Sequence, residues 1–446
     1  MANSNVRERA VDTLMEINEQ GRFLNDALAQ EFKRLTPLKG EDRALYTRLV
    51  EGTLQEMVYI DYYLEQVSSL RVKKMKPIVR NLLRCSAYQI LFLDRVPDYA
   101  VVDEAVKIVK KRGMAGLGSF VNGVLRTICD NGRDLELPLA SDDPVGFLNV
   151  YYSMPRWIVR MWYDSLGYAA TEGMLKAFSR QDVPICLWTN ELKTTPGELK
   201  STLESAGAHL SGLDDFPGAF HAVGLGDIHE LVPYQKGMFY IQNESCAMAV
   251  RDALEIAGAY LYTSEKPMRI LDVCASPGGK SLYAANLLKD RARIEARDIT
   301  AHKKERLDRN ITRMGYNRLI HTAMRDALVF NKDDVGAYDL VMVDAPCSGL
   351  GVVGSKPDLR HRVTPDDIEF LSGTQRDMLS VCSKYVAKGG FLMYSTCTIS
   401  EAENAENTAW MAQDPEFELL VERSFLPVEE NPSIDGFYYA MFRRGG

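Results

Sequence analysis

The chain lacks any run of 18 apolar residues, and its opening, MANSNVRERA, lacks the apolar stretch of a secretory leader. Neither a membrane span nor export is expected, and the protein reads as cytoplasmic. Cysteine is sparse: eight residues are scattered through 446, with no CxxC pair and no zinc-type spacing. Reduced thiols are therefore expected, without disulfides and with no metal site. Positive charge is not in excess either. A formal net charge of −8 excludes a protein that coats nucleic acid by bulk charge. It leaves room for local basic surfaces, and RVKKMK (71–76), KIVKKR (107–112) and HKKERLDR (302–309) are such clusters. Repeats and low-complexity tracts are absent as well.

What is present is a soluble composition, 46% hydrophobic and 26% charged, on a chain too long for one core. Residues 1–135 are patterned as helices almost throughout. Val6, Ala10, Leu14 and Ile17 recur at helical spacing, and EDRALYTRLVEGTLQEMVYIDYYLEQV, KPIVRNLLRCSAYQILFL and GSFVNGVLRTI continue the pattern. The turn-rich NGRDLELPLASDDP (131–144) marks a boundary. From 145 to 235 helices mix with the strands VPICLWTN and AFHAV, and TPGELKSTLESAG predicts a helix with a Thr cap and a Pro at its start. This is a small α+β domain.

From 236 to 446 strands and helices alternate. MRILDVCA (268–275), RIEARDI (293–299), LIHTAMRDA (319–327), YDLVMVDAP (338–346) and GGFLMYSTC (389–397) are near-continuous apolar strands. Such strands separated by helices build a parallel sheet covered on both faces. DGFYYAMFRR alternates and predicts a closing antiparallel strand. The fold class is thus multidomain: all-α, then α+β, then α/β of the Rossmann-like kind.

In such a sheet, ligands bind beyond the carboxyl ends of the strands. DVCASPGGK (272–280) sits there, at the end of the first strand, and opens a helix. Its glycines allow close backbone approach, and a helix N-terminus offers free N–H groups. Asp298, Asp326 and Asp344 follow at successive strand tips. Both the dinucleotide signature GxGxxG and the phosphate loop GxxxxGK[ST] are missing. A nucleoside without phosphates fits that set, and S-adenosylmethionine is one whose sulfonium suits nearby carboxylates.

Two thiols, Cys347 in DAPCSG and Cys397 in YSTCTIS, lie at strand tips on this ligand side. A thiolate added to carbon 6 of a cytosine turns carbon 5 into an enamine carbon able to attack a methyl sulfonium. A second group beside the ring helps release the product. Asp344 can hold a proton at ring N3. Spacing alone does not rank Cys397 above Cys347.

DVCASPGGK, DAPCSGLG and YSTCTISEAEN together resemble the three main motifs of Sun/Fmu-type (RsmB) RNA cytosine-5 methyltransferases. RERAVDTLMEI, FLNDAL, EDRALYTRLVEGTL, VRNLLRCSAYQILFLDRVP and FVNGVLR resemble the NusB-like domain that precedes the methyltransferase in the bacterial ribosomal member. The resemblance covers nearly the whole chain and implies a class I S-adenosylmethionine-dependent methyltransferase at 236–446. It implies a NusB-like RNA-binding domain at 1–135 and an RNA-binding or linker domain at 145–235. It makes Cys397 the nucleophile and Cys347 the residue of product release, with Asp344 and Lys280 beside them. Cofactor contacts carry over to Cys274, Ala275, Ser276, Pro277, Gly278, Gly279, Lys280, Asp298, Asp326 and Asp344. The implied substrate is a flipped cytosine of 16S rRNA, free or in an early assembly intermediate, with the enzyme a monomer. Two competing readings are a tRNA cytosine-5 methyltransferase and a non-catalytic ribosome-assembly or antitermination factor. Where the family often carries a basic pair before PD, this chain has Gly354, Ser355 and Lys356, leaving Arg360 and Arg362 to contact RNA.

Overall fold

The structure, a computed structural model, describes residues 6–33, 40–132, 134–180, 183–431 and 433–446. The opening MANSN, and residue 133 within the 131–144 boundary, lie outside them. The chain forms two compact units, one of Met1–Ser179 with Val353–Arg362 and one of Arg180–Val352 with Val363–Gly446. Among the described residues no helix is long and apolar enough to cross a membrane.

The first unit is helical. Its opening helix, Val6–Gln20, buries Ala10, Leu14 and Ile17 as their spacing predicts. They join a core with Leu49, Leu83, Tyr88 and Leu125 from later helices. Residues 353–362 belong to this unit, and that placement corrects one expectation. Arg360 is 1% exposed. Its guanidinium donates to the carbonyls of Gln55 (3.2 Å), Ser153 (3.3 Å) and Val353 (2.8 Å) and to Gln55 Oε1 (3.1 Å). A guanidinium consumed by internal acceptors is a structural clamp, not a contact for RNA. Arg362 is occupied too, donating to Gly21 O (2.7 Å) and stacking 3.9 Å over the Phe23 ring.

The second unit holds two sheets. Strands β1 (Ile185–Thr189), β2 (His209–Leu213), β3 (Phe216–Val223) and β4 (Phe239–Ile241) form an antiparallel sheet in the order β2-β3-β1-β4. The helix Pro196–Ser205 beside them starts with the expected Thr195 cap, in a full capping box with Glu198. The larger sheet comprises β5 (Met268–Asp272), β6 (Ala292–Asp298), β7 (Ile320–Met324), β8 (Tyr338–Asp344), β9 (Val386–Thr396), β10 (Phe417–Phe425) and β11 (Phe437–Arg444). Its order is β10-β11-β9-β8-β5-β6-β7.

The five expected parallel strands are there, with β11 closing antiparallel on β9. The edge strand β10 was not predicted because most of its residues are exposed and its apolar run, Leu419 to Val421, is short. Strand β2, HLSGL, was not predicted because it has only two apolar residues, and β4 because it is three residues long. The order β9-β8-β5-β6 places the carboxyl ends of four strands side by side, and the site is built there.

Candidate active site

The loop after β5 folds across the tip of β6. Ala275 N–H donates to Arg297 O (2.8 Å), and Ser276 N–H donates to Asp298 Oδ2 (3.0 Å). Asp298, 2% exposed, also accepts from Ile299 N–H (2.8 Å) and pairs with Lys303 (3.2 Å). Its carboxylate is thus oriented before any ligand arrives. Gly278 has φ +110°, a backbone conformation that demands glycine, and a Cβ there would lie 2.9 Å from Leu307 Cδ1. The helix Gly279–Leu288 begins at once, its first-turn N–H groups without intrahelical acceptors. Ser281 does follow Lys280, as in a phosphate loop, but its hydroxyl is fully buried and donates to Asp272 (2.7 Å). Burial pushes Asp272 up to about 7, and that acid lies beneath the loop. Cys274, in the loop, is held well above the usual thiol range by burial.

Asp326 departs from its expected place. Strand β7 ends at Met324, and Asp326 stands two residues beyond it, half-buried, accepting from Leu328 N–H (2.9 Å). Asp344 is the last residue of β8, where the sequence put it. Its Oδ2 accepts from Lys280 Nζ (2.6 Å) and its Oδ1 from Ser395 Oγ (2.9 Å). Burial acts to lower the Lys280 ammonium, but Asp344 and Cys246 outweigh it and hold the proton on. Lys280 Nζ lies 3.8 Å from Cys246 Sγ and 5.2 Å from the centre of the Phe437 ring.

The two thiols meet. Strands β8 and β9 are parallel neighbours in which Asp344 pairs with Ser395. Both chains therefore leave the sheet at one level, and Cys347 Sγ comes to lie 3.3 Å from Cys397 Sγ. The hydrogen bond to Cys397, then burial and the Glu403 charge, push Cys347 well above the usual thiol range. The two sulfurs share this hydrogen bond, and either of them can be its donor.

A buried polar frame holds the pair. Glu403, with no exposure, accepts from Ser348 N–H (2.8 Å), Ser348 Oγ (2.5 Å) and Gln375 Nε2 (3.1 Å). Ser348 Oγ also shares a hydrogen with Thr398 Oγ1 (2.6 Å), which joins the neighbours of the two cysteines. Gly351 N–H donates to Cys397 O (3.1 Å), and a Cβ at 351 would meet Gly436 O at 2.0 Å. That close approach requires glycine.

Residues 259–443 match the family model described as 16S rRNA methyltransferase RsmB/F, and residues 4–130 match the NusB family. The probable ribosomal RNA small subunit methyltransferase B of Bacillus subtilis (strain 168) is 33% identical over 469 residues, covering 100% of each chain. The chain belongs to the RsmB/F methyltransferase family. The description of that family is of methyltransferases of 16S rRNA. The ribosomal RNA small subunit methyltransferase B of Shewanella oneidensis is 28% identical, with 98% of each chain covered. Among solved structures, PH0851 matches with a TM-score of 0.81 at 23% identity over 100% of both chains. NSun6 from Pyrococcus horikoshii, solved with SFG, matches with a TM-score of 0.55 at 19% identity over 66% of this chain and 98% of its own. These two likenesses speak for the RsmB/F fold alone.

Three residues of this RsmB/F site went unread in the sequence. Cys246 reads as a core thiol, and burial does push it up to about 12, yet it touches Lys280. Glu403 lies in the quoted SEAEN stretch, whose acid three residues before Glu406 carries no spacing signal of its own. Gln242 precedes a helix in IQNESC, and its side chain lies against Gly279.

Proposed function

We propose that this protein methylates carbon 5 of a cytosine in 16S rRNA through a transient bond between Cys397 and the base. The observation that carries the proposal is the Sγ–Sγ contact of 3.3 Å on the strand next to the Asp344–Lys280 pair. The cofactor is S-adenosylmethionine, which supplies an electrophilic methyl carried on a sulfonium. The residues present suit such a ligand: Asp298 is a buried, pre-oriented acceptor for ribose hydroxyls, and the loop glycines leave the backbone bare. Cys274 to Lys280, Asp298, Asp326 and Asp344 form its proposed cradle.

Sulfur of Cys397 forms a bond to ring carbon 6 while the C5=C6 π pair moves toward carbon 5 and the N3 end of the ring. Asp344, fixed by Lys280 and Ser395, is the proposed group that holds a proton at N3, and that proton neutralises the charge collecting there and leaves again when C5=C6 is restored. Carbon 5, now nucleophilic, would bond to the methyl, the methyl–sulfur bond breaking with its electron pair left on the sulfur of S-adenosylhomocysteine. Cys347, having first given its own thiol proton to solvent, then takes the carbon 5 proton as a thiolate, the electron pair of that C–H bond restores C5=C6, and the C6–S bond breaks to return the Cys397 thiolate. Once Cys397 is bonded to carbon it no longer raises Cys347, so this second thiol can release its proton to solvent and act as a base in its thiolate form. Addition followed by elimination replaces one hard substitution with two easier steps.

The helical segment 1–135 and the α+β segment 145–235 are the proposed RNA-binding parts, acting by phosphate contact and shape. Among the described residues, Arg71, Lys73, Lys74 and Lys76 are exposed and make no ion pair. By contrast, Lys107, Lys111 and Arg112 are paired with Asp103, Glu8 and Asp12. The enzyme is proposed to work in the cytoplasm as a monomer on free RNA or an early assembly intermediate. Incubation of 16S rRNA with methyl-labelled S-adenosylmethionine, followed by bisulfite sequencing, tests this. Label in one 5-methylcytosine of 16S rRNA is the expected result; label on another atom or only in tRNA refutes it.

A further inference from the structure

Gln242 is the residue after β4, 8% exposed, and its backbone is anchored on both sides. Its N–H donates to Cys186 O (3.3 Å), and its carbonyl accepts from Trp188 Nε1 (2.8 Å). Its side-chain amide has neither kind of support. Both Nε2 and Oε1 are buried without a hydrogen-bond partner. A buried amide left unpaired is costly, and a leucine of similar size would avoid the cost. An amide kept there calls for a partner that the protein does not itself supply.

Gln242 lies against the cofactor loop. A Cβ on Gly279 would meet its Oε1 at 2.9 Å and its Cδ at 3.2 Å, so the glycine leaves room for the amide. The two loop glycines mark two flanks. Gly278 faces Leu307, on the helix that follows β6, where Asp298 waits for the ribose. Gly279 faces Gln242, and the next residue, Lys280, reaches Asp344 at the tip of β8. With the ribose held at β6, the other end of the cofactor falls on the Gln242 flank. That end carries a carboxylate and an ammonium on one carbon. An amide donor and acceptor side by side match this pair, and the bare N–H groups of the helix start favour the carboxylate.

We infer that Gln242 binds the amino-acid end of S-adenosylmethionine, its Nε2 donating to the carboxylate and its Oε1 accepting from the ammonium. The inference rests on the cofactor reading above. The test compares S-adenosylhomocysteine with 5′-methylthioadenosine, which keeps the nucleoside and lacks the amino-acid end, by calorimetry on the full chain. Gln242→Leu should weaken S-adenosylhomocysteine about tenfold or more while leaving 5′-methylthioadenosine within about twofold. The same variant should melt higher than the wild type without ligand, because it removes an unpaired buried amide. Equal weakening of both ligands, no weakening of either, or a lower melting temperature overturns the assignment. Failure of the wild type to bind S-adenosylhomocysteine at all would instead sink the cofactor reading, so the two failures are distinct.

Discussion

Cys347 Sγ and Cys397 Sγ lie 3.3 Å apart although 50 residues separate them in the chain. The contact follows from strand adjacency: Asp344 on β8 is level with Ser395 on β9, and each thiol follows two or three residues later. The two sulfurs share a hydrogen bond that either can donate, and that contact together with burial holds Cys347 well above the usual thiol range. The ranking of Cys397 over Cys347, which spacing alone left open, rests on the resemblance of the motifs.

Removing either sulfur should therefore have a different outcome. Cys397→Ala is expected to abolish methyl transfer and leave S-adenosylhomocysteine affinity within about twofold, because the thiol makes a bond to the base and not to the cofactor. Cys347→Ala should stall after addition and leave a covalent protein–RNA adduct, seen as a slow band on a denaturing gel. Normal turnover by the Cys347 variant, without that band, would contradict its role in release.

Glu403 positions both loops without reaching the base. Glu403→Ala strands the Ser348 N–H and the Gln375 amide in a buried site, and a loss of about 2–4 kcal/mol in urea unfolding is expected. Glu403→Gln keeps the volume and one acceptor, so it should recover part of that stability. Its kcat should still fall while KM for S-adenosylmethionine holds, since the thiols lose their register and the cofactor loop does not.

Acid should loosen the first unit through His361. Burial first, and then the Arg360 charge, lower its imidazole from 6.5 to about 3, and its Nε2 meets Leu54 O at 2.7 Å. The unfolded chain takes up this proton as pH falls through about 6.5, the folded chain only near the lower value, so stability rises with pH across that window. Between pH 7.5 and pH 5 the wild type should lose about 2 kcal/mol from this group. Comparing urea midpoints of wild type and His361→Gln at the two pH values checks it, and an unchanged difference would remove His361 from the account.

Lys73, Lys74 and Lys76 should act through phosphates. Their joint replacement by Ala is expected to weaken 16S rRNA binding and to reduce the slope of log K against log salt by about 2. Lys107→Ala and Lys111→Ala, whose charges are already met by Asp103 and Glu8, should change the slope little. The reverse ranking would move the RNA surface elsewhere.

The periodicity of residues such as Ala10, Leu14 and Ile17, and the apolar runs ending in Asp298 and Asp344, determined the helical part and the parallel strands without any coordinates. They did so because burial of one face or of both leaves its mark in local order. The identities of Cys347, Cys397 and Lys280, each at a strand tip or a helix start, were likewise local facts. Local patterns say nothing of partners far away in the chain. Only the tertiary structure decided that Arg360 serves as an internal clamp, that Asp326 sits beyond its strand, and that Glu403 joins two loops. It alone also put the Gln242 amide, unpaired, against Gly279. Each of these depends on which strands and helices become neighbours, and long-range packing sets that, not the residues on either side.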